Sequence, residues 1–359
     1  MWGLVEIHIM KRVNFLFPEI YSFENLLIAS RKARMGKRTQ NNVSHFEFNL
    51  EPELIQLHRE LRTKTYQPGS YKEFYISVPK KRMISAAPYR DRVVHHALCN
   101  IIEPIFDKTF VYDNYANRKQ KGTHKAILRY QLFAKKYQYV LKCDIKKYFP
   151  SIDHDILRHL IRRKIKCRDT LWLIDVILEN SNPQETVIDY FTGDDLFTPL
   201  ERRKGLPIGN LTSQFFANIY LNKLDHYIFE ILKQRAYVRY VDDFVVFGNC
   251  KEELWKLFAD VGKYLETLRV RLHQKKSMVY PVNRGVIFLG HKIFPEFRLL
   301  KTQNIILFRK RLKKMKKEYL DGTISRETIT ASIQGWIAHA SFSNTYRLRK
   351  KLFSEFVLS

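Results

Sequence analysis

Cysteine is scarce in this chain of 359 residues and has no regular spacing. The four cysteines stand at positions 99, 143, 167 and 250, and none of them belongs to a CxxC pair. Zinc sites and disulfide frameworks use closer and more regular spacings, so the pattern argues against both. The cysteine usage therefore favours a reducing compartment.

Long uncharged hydrophobic runs are also missing from the sequence. The N-terminal stretch MWGLVEIHIMKRVNFLF is interrupted by Glu6, His8, Lys11 and Arg12, which makes it a poor signal peptide. No uncharged run approaches the length that spans a bilayer. We therefore expect a soluble, intracellular protein that has no membrane partner.

Acidic residues are too few to balance the basic ones. The chain has 63 lysines and arginines against 36 aspartates and glutamates, a net charge of +27 and a pI near 9.8. Such a charge predicts a polyanionic partner, and nucleic acid is the first candidate. The alternative is a basic surface kept for solubility, although so large an excess raises the self-repulsion of a compact protein.

Apolar residues recur at helical or strand-like spacing along most of the chain. Helical spacing predicts helices over 22–63, 91–106, 154–165, 213–229 and 251–268. Runs of β-branched and aromatic residues predict strands over 71–79 and 137–145, a hairpin over 237–248, and a strand pair or hairpin over 285–294. Helices packed on an antiparallel sheet place the chain in the α+β fold class.

The composition shifts after residue 300. Residues 301–359 carry 13 basic and 4 acidic side chains, which predicts a small, basic, helical C-terminal subdomain. About seventy residues follow position 290, enough for three helices and their loops. Trp336 and His339 stand at helical spacing in QGWIAHA and are predicted to lie in the core of this subdomain.

Two adjacent aspartates, Asp242 and Asp243, stand between hydrophobic runs in RYVDDFVVFG. Buried carboxylates need a partner or a shifted pKa. Asp144 ends another apolar strand, and if both strands share a sheet, Asp144 and Asp242 converge at the strand ends. Converging carboxylates would bind divalent cations, and two such ions can clamp the oxygens of a phosphoryl transfer. The alternative is an ordinary hairpin turn, where aspartate is common.

Four stretches occur in the order of the palm motifs of reverse transcriptases. They are DIKKYFP from Asp144, GLPIGNLTSQ from Gly205, YVDD from Tyr240 and FLG from Phe288. RDRVVHHAL (90–98) and NYANRKQKGTHKAI (114–127) resemble the fingers motifs of the group II intron-like bacterial branch. The resemblance implies a right-hand polymerase fold, with an N-terminal extension and fingers over 1–135, a palm over 136–297 and a helical basic thumb over 298–359.

The resemblance also implies which residues are catalytic. Asp144, Asp242 and Asp243 would bind two Mg²⁺ ions, or Mn²⁺, together with the backbone carbonyl of Ile145. Phe149 falls where reverse transcriptases keep a bulky aromatic ring that closes the space of a ribose 2′-OH. The alternative for Phe149 is an aromatic residue of the core.

Further contacts are implied for the substrates. The other expected dNTP contacts are Ile208, Gly209, Lys276 and the basic fingers turn, in which the resemblance does not distinguish Lys80, Lys81 and Arg82. The expected primer and template contacts are Tyr240, Val241, Ser213, Gln214, Phe288, Leu289 and Gly290. Gly290 has the alternative of a simple hairpin glycine.

One block departs from the usual pattern. Most reverse transcriptases have Gln before the glycine and Pro after the serine, whereas this chain has Ile208 and Gln214. Ile208 has no side-chain donor or acceptor, so one polar check on base-pair geometry is missing. The IGxxxSQ form resembles reverse transcriptases of diversity-generating retroelements. Those enzymes copy a template-repeat RNA into cDNA with misincorporation opposite adenines, and the altered copy replaces a repeat in a target gene.

This subtype implies partners and a location. The partners would be the template-repeat RNA, an RNA–cDNA hybrid, dNTPs and a small, basic, oligomeric accessory protein. The protein would be bacterial or phage-encoded and would act in the cytoplasm. Two alternatives stay open: a retron-like or phage-defence reverse transcriptase, in which Ile208 reflects drift, and a catalytically inactive RNA-binding scaffold.

Overall fold

A computed structural model describes residues 12–77, 81–182 and 185–356. The α+β class predicted from the sequence is confirmed, because helices pack on three antiparallel sheets within these ranges. None of the helices there combines the length and the apolar content that crossing a bilayer requires.

The N-terminal third is helical and carries one hairpin. Its elements are α1 (Phe17–Tyr21), α2 (Phe23–Ala33), α3 (Asn41–Phe48), α4 (Leu50–Thr63), β1 (Lys72–Ile76), β2 (Arg82–Ala86), α5 (Tyr89–Asp107) and α6 (Thr123–Ala134). The mostly helical stretch predicted over 22–63 contains three helices, and Gly36, with a left-handed φ of 69°, lies in the first break. The predicted strand over 71–79 ends at Ile76, and positions 78 and 79 lie outside the described residues. No pattern in the sequence predicts β2 or α6.

The central part holds a four-stranded sheet. Its elements are β3 (Tyr139–Asp144), α7 (Tyr148–Ser151), α8 (His154–Arg162), α9 (Arg168–Glu179), α10 (Thr198–Glu201), α11 (Leu211–His226), β4 (Tyr237–Tyr240), β5 (Asp243–Gly248), α12 (Lys251–Thr267) and β6 (Met278–Pro281). The strand order is β4-β5-β3-β6. The predicted hairpin over 237–248 is confirmed, and so are the helices that begin at His154 and Lys251.

Strands β3 and β5 are buried on both faces, which explains their nearly continuous apolar sequences. Successive side chains of a strand point to opposite faces. Leu141 and Phe244 join the main core, to which α5, α11 and α12 also contribute. Val140 and Val245 join a second core, which α6 completes from the other side. The ends of these strands are therefore held in place by helices on both faces.

The C-terminal part contains a small sheet followed by helices. Its elements are β7 (Val286–Phe288), β8 (His291–Ile293), β9 (Arg298–Leu300), α13 (Thr302–Leu320), α14 (Arg326–Ala340) and α15 (Tyr346–Ser354). The predicted three helices are confirmed, although β9 extends the sheet beyond the boundary predicted at 297. The predicted core position of Trp336 is confirmed, since its indole stacks on Phe308 with ring centroids 3.9 Å apart.

Candidate active site

Strand pairing brings the predicted carboxylates to one end of the central sheet. Asp243, the first residue of β5, pairs with Tyr240 across the hairpin and with Asp144 at the end of β3. Asp242 lies between β4 and β5, in the two-residue turn that connects them. The antiparallel register therefore places Asp144 and Asp243 side by side, with Asp242 next to them.

The turn itself is conformationally strained. Val241, its first residue, has a φ of 57°. A left-handed conformation costs an L-residue roughly 1–2 kcal/mol and is rare for a β-branched side chain. Strain of this kind persists only where neighbouring contacts enforce it, and it is concentrated at functional sites.

The carboxylates perturb one another's ionisation. The pKa of Asp242 rises to about 6, mainly because of burial and then because of the negative charge of Asp144. The pKa of Asp243 rises to about 7, again mainly because of burial; Lys142 opposes the rise, and Asp242 and Asp144 add to it. A bound cation would relieve both effects.

Two lysines supply part of the missing positive charge. Lys276 Nζ lies 2.7 Å from Asp144 Oδ2, and Lys142 Nζ lies 3.8 Å from Asp243 Oδ2. The loop that carries Lys276 is anchored to the same strand end, because the His273 amide donates to the Asp144 carbonyl at 2.7 Å. Lys276 and Lys142 are therefore both placed at the carboxylates, and the dNTP contact expected of Lys276 stays a prediction.

The donor set fits Mg²⁺ chemically. Across 12–77, 81–182 and 185–356, no three His, Cys, Asp or Glu side chains are arranged so that they would hold a metal ion. Asp243 Oδ1, however, is buried without a hydrogen-bond partner among these residues. Carboxylate and carbonyl oxygens are the ligands that Mg²⁺ prefers. Asp144, Asp242, Asp243 and Ile145 are therefore the residues that could hold it.

Phe149 lies in the short helix α7, five residues after Asp144 in the chain. Its side chain is half-buried, and its ring meets Tyr148 edge to face with centroids 5.7 Å apart. Its carbonyl accepts a hydrogen bond from the Leu206 amide at 2.9 Å. This bond joins Phe149 to the block that contains Ile208.

That block runs along strand β2. The Ser85 amide donates to the Ile208 carbonyl at 3.0 Å, and the Ala87 amide donates to Asn210 Oδ1 at 3.2 Å. Gly209 has a φ of 125°, and a Cβ atom there would lie 3.0 Å from the Cγ2 atom of Ile84. Only glycine avoids both the unfavourable φ and the contact. The block is thereby attached to the hairpin that carries the basic fingers turn.

The basic residues of that turn have different surroundings. The positive charge of Arg82 reaches Asp242, where it opposes the rise of the pKa. Lys81 instead lies over the Tyr75 ring, 4.7 Å from its centroid. Lys80 lies outside the described residues. Of the two described residues of this turn, Arg82 is therefore the one whose charge acts on Asp242.

The expected primer and template contacts divide into buried and accessible residues. Phe288 is fully buried and stacks on Tyr130 with centroids 5.4 Å apart, so its side chain belongs to the second core. Leu289 and Gly290 form the turn between β7 and β8, with φ values of 48° and 85°. A primer contact at this turn stays a prediction, and it would involve Leu289 and Gly290.

The remaining expected contacts lie on α11 and the β4–β5 hairpin. Ser213 is buried in α11, whereas Gln214 is partly exposed. The Tyr240 hydroxyl accepts a hydrogen bond from Thr123 Oγ1 at 3.2 Å. Their roles toward nucleic acid stay predictions.

Two buried residues beside the turn, Arg239 and Asp225, are not predicted from the sequence. Both side chains have no exposed surface, and they form a salt bridge of 2.5 Å between α11 and β4. The signal in the sequence is limited to Arg239, a charged residue within the stretch YVRY, because the end of α11 reads NKLDH and is largely polar. Such a pair can be inferred only when both segments are known to pack together.

The chain matches a family model described as reverse transcriptase (RNA-dependent DNA polymerase) over residues 72–293, more than half of its length. The chain belongs to the reverse transcriptase family. The matched region runs from β1 to the end of β8, and it contains the carboxylates, the Ile208 block and the FLG turn.

Curated relatives of this reverse transcriptase include group II intron-type proteins. Protein YkfC of Escherichia coli is 27% identical over 307 residues, covering 73% of this chain and 78% of YkfC. The group II intron-encoded protein LtrA of Lactococcus lactis is 22% identical, covering 94% of this chain and 63% of LtrA. A putative COX1/OXI3 intron 2 protein of Saccharomyces cerevisiae is 22% identical, covering 74% of this chain and 36% of that protein.

Proposed function

We propose that this reverse transcriptase copies RNA into DNA with Asp144, Asp242 and Asp243 as its catalytic carboxylates. The observation that carries the proposal is the pairing of Asp144 with Asp243 beside the strained turn that holds Asp242. The mutual effects on their pKa values support a shared site for cations. The substrates would be dNTPs and an RNA template.

The carboxylates, with the Ile145 carbonyl, would hold two Mg²⁺ ions, or Mn²⁺. Bound ions would supply charge neutralisation at the reacting phosphate and activate the attacking hydroxyl. Arg82 and Lys276 would add positive charge around the triphosphate. Phe149 would exclude a ribose 2′-OH, and Ile208 and Gly209 would line the nucleotide site.

The chain would divide as polymerases of this fold do. Fingers and an N-terminal extension would occupy 1–135, the palm 136–297 and the thumb 298–359. The thumb helices carry most of the 13 basic residues of 301–359, so they suit the phosphates of an RNA–cDNA hybrid. Such a duplex would be recognised by shape and charge more than by base identity.

We further propose the diversity-generating subtype, on the strength of Ile208 and Gln214. The enzyme would copy a template-repeat RNA with errors at adenines, together with a small basic accessory protein, in the cytoplasm of a bacterium or a phage-infected host. A second candidate is an ordinary group II-type reverse transcriptase, which the names of the intron-encoded relatives favour. The error spectrum separates the two.

Primer extension on an RNA template tests the catalytic carboxylates. Wild-type protein should incorporate dNTPs only with Mg²⁺ or Mn²⁺, and Asp242→Asn should abolish incorporation because a ligand charge is lost. Asp155→Asn is the control, since Asp155 is an exposed carboxylate that pairs with Arg158 at 3.3 Å. Equal activity of Asp242→Asn and wild type would exclude this mechanism.

Sequencing of the cDNA products tests the subtype. Wild-type errors should be concentrated opposite template adenines, and Ile208→Gln should lower them because glutamine restores a polar contact. Ile188→Gln, at an exposed isoleucine, is the matched control. An error spectrum that Ile208→Gln leaves unchanged would remove Ile208 from the explanation.

A further inference from the structure

Arg239 is a fully buried arginine in the strand that leads into the catalytic turn. A buried guanidinium is costly unless its donors are satisfied. Nε and Nη2 donate to the two carboxylate oxygens of Asp225 at 2.6 and 2.5 Å. These two bonds pair the charge of Arg239 with a carboxylate, but they do not involve its Nη1 atom.

The Nη1 atom connects the strained turn to α11. It donates to the Val241 carbonyl at 3.0 Å and to Asn218 Oδ1 at 3.2 Å. The Val241 carbonyl belongs to the peptide that joins Val241 to Asp242. A bond to this carbonyl therefore fixes the orientation of the peptide that carries a catalytic carboxylate.

The anchors of Arg239 lie on the helix that follows the Ile208 block. Asn218 and Asp225 both belong to α11, which begins at Leu211 directly after Gly209 and Asn210. The backbone of Arg239 is held as well, since its amide donates to the Asp113 carbonyl at 2.9 Å. The Arg239 side chain thus links α11 directly to the turn that carries Asp242.

We infer that Arg239 is a positioning residue that holds Val241 in its left-handed conformation and thereby places Asp242 for metal binding. The inference rests on the proposed function of the carboxylates. Lysine cannot replace arginine here, because one ammonium group lacks the planar fork that reaches Asp225 and the Val241 carbonyl together. A purely structural ion pair would not need the bond to Val241.

The first test compares Arg239→Lys with Tyr237→Phe. The Tyr237 hydroxyl donates at 2.7 Å to Asp225 Oδ1, the oxygen that also accepts from Arg239 Nε. Tyr237 is as buried as Arg239, but it makes no hydrogen bond to the turn. Mn²⁺ binding is measured by electron paramagnetic resonance without substrate, and kcat and KM by primer extension. Arg239→Lys should weaken Mn²⁺ binding and lower kcat, each by about tenfold or more, with little change in the KM for dNTP. Tyr237→Phe should leave Mn²⁺ binding, kcat and KM nearly unchanged.

A second variant keeps the test decisive if Arg239→Lys does not fold. Replacing a buried ion pair by apolar residues commonly preserves the fold, so Arg239→Met combined with Asp225→Leu should give a folded protein that lacks the bond to Val241. This double variant should show the same loss of Mn²⁺ binding. Normal Mn²⁺ binding and kcat in the folded double variant would overturn the inference.

A double-mutant cycle with Val241→Gly identifies the turn as the target. Glycine adopts a positive φ without strain, so the effect of Arg239→Lys on Mn²⁺ binding should shrink in the Val241→Gly background. An undiminished effect would place the role of Arg239 elsewhere. If wild-type protein binds Mn²⁺ but incorporates no dNTP, the proposed function fails, and the binding measurements still test the inference.

Discussion

Replacement of Asp243 by asparagine should stabilise the metal-free protein at pH 8. The ordinary pKa of this carboxyl is 3.8, and burial raises it to about 7 in the folded protein. The folded protein therefore binds the proton more tightly than the unfolded chain. Because of Asp243, the free energy of unfolding falls as the pH rises from about 4 to about 7, and it stays lowered above that range.

The magnitude follows from these two pKa values. Between pH 5 and pH 8, ionisation of Asp243 removes roughly 2–3 kcal/mol from the free energy of unfolding. Asparagine does not ionise, and the partly exposed pair with Lys142 is already included in the folded pKa of Asp243. Lys142 also keeps its hydrogen bond to the Ile287 carbonyl at 2.9 Å in the variant. The net advantage of Asp243→Asn should therefore grow by roughly 2–3 kcal/mol from pH 5 to pH 8.

Chemical unfolding in the presence of EDTA measures this difference at each pH. Asp195→Asn is a control of opposite sign, because hydrogen bonds from Thr198 and then the Phe197 amide lower the pKa of Asp195. The stability that Asp195 contributes is present at neutral pH and is lost as the pH falls through its folded pKa. If Asp243→Asn changes stability equally at pH 5 and pH 8, the carboxylate is not held in the buried environment described here.

Two further substitutions test local packing. If the Phe149 ring closes the 2′-OH space as proposed, Phe149→Val should raise the kcat/KM for ribonucleotides relative to dNTPs, whereas Phe229→Val, at another half-buried phenylalanine, should not. An unchanged ratio would make Phe149 a core residue only. Gly285→Ala should destabilise the protein by roughly 1–3 kcal/mol, because its Cβ would lie 2.4 Å from the Phe294 ring. The helical Gly262→Ala, which meets no atom within 4 Å, should be neutral or stabilising, and thermal unfolding that ranks the two variants in the reverse order would contradict this account.

Local signals predict the elements that build the site. The apolar runs around Asp144 and Asp242 predict β3 and the β4–β5 hairpin, because alternation and turn residues act over short distances. Strand β2 and helix α6 are not predicted, because such sequence signals act only over short distances. Residues 82–86 show little alternation, and β2 is stabilised by β1 and by the Ile208 block, which lies far away in the chain.

Contacts between buried side chains from distant segments are the least predictable part of the structure. The sequence predicts a nucleic-acid contact for Phe288, yet its side chain is buried in the second core. In the sequence Arg239 looks like an ordinary strand residue, yet its side chain bonds both Asp225 and the carbonyl of Val241 in the β4–β5 turn. Both outcomes depend on which segments meet in space, and neither leaves a periodic signal in the sequence.

The sequence by itself determined the carboxylates, the hairpin that carries two of them and the basic character of the C-terminal helices. Only the tertiary structure decided that β3 pairs with β5, so that Asp144 lies opposite Asp243. The physical reason is that strand register depends on burying both faces of the sheet against α11, α12 and α6. A one-residue shift would turn every apolar side chain of β3 to the wrong core and separate the carboxylates.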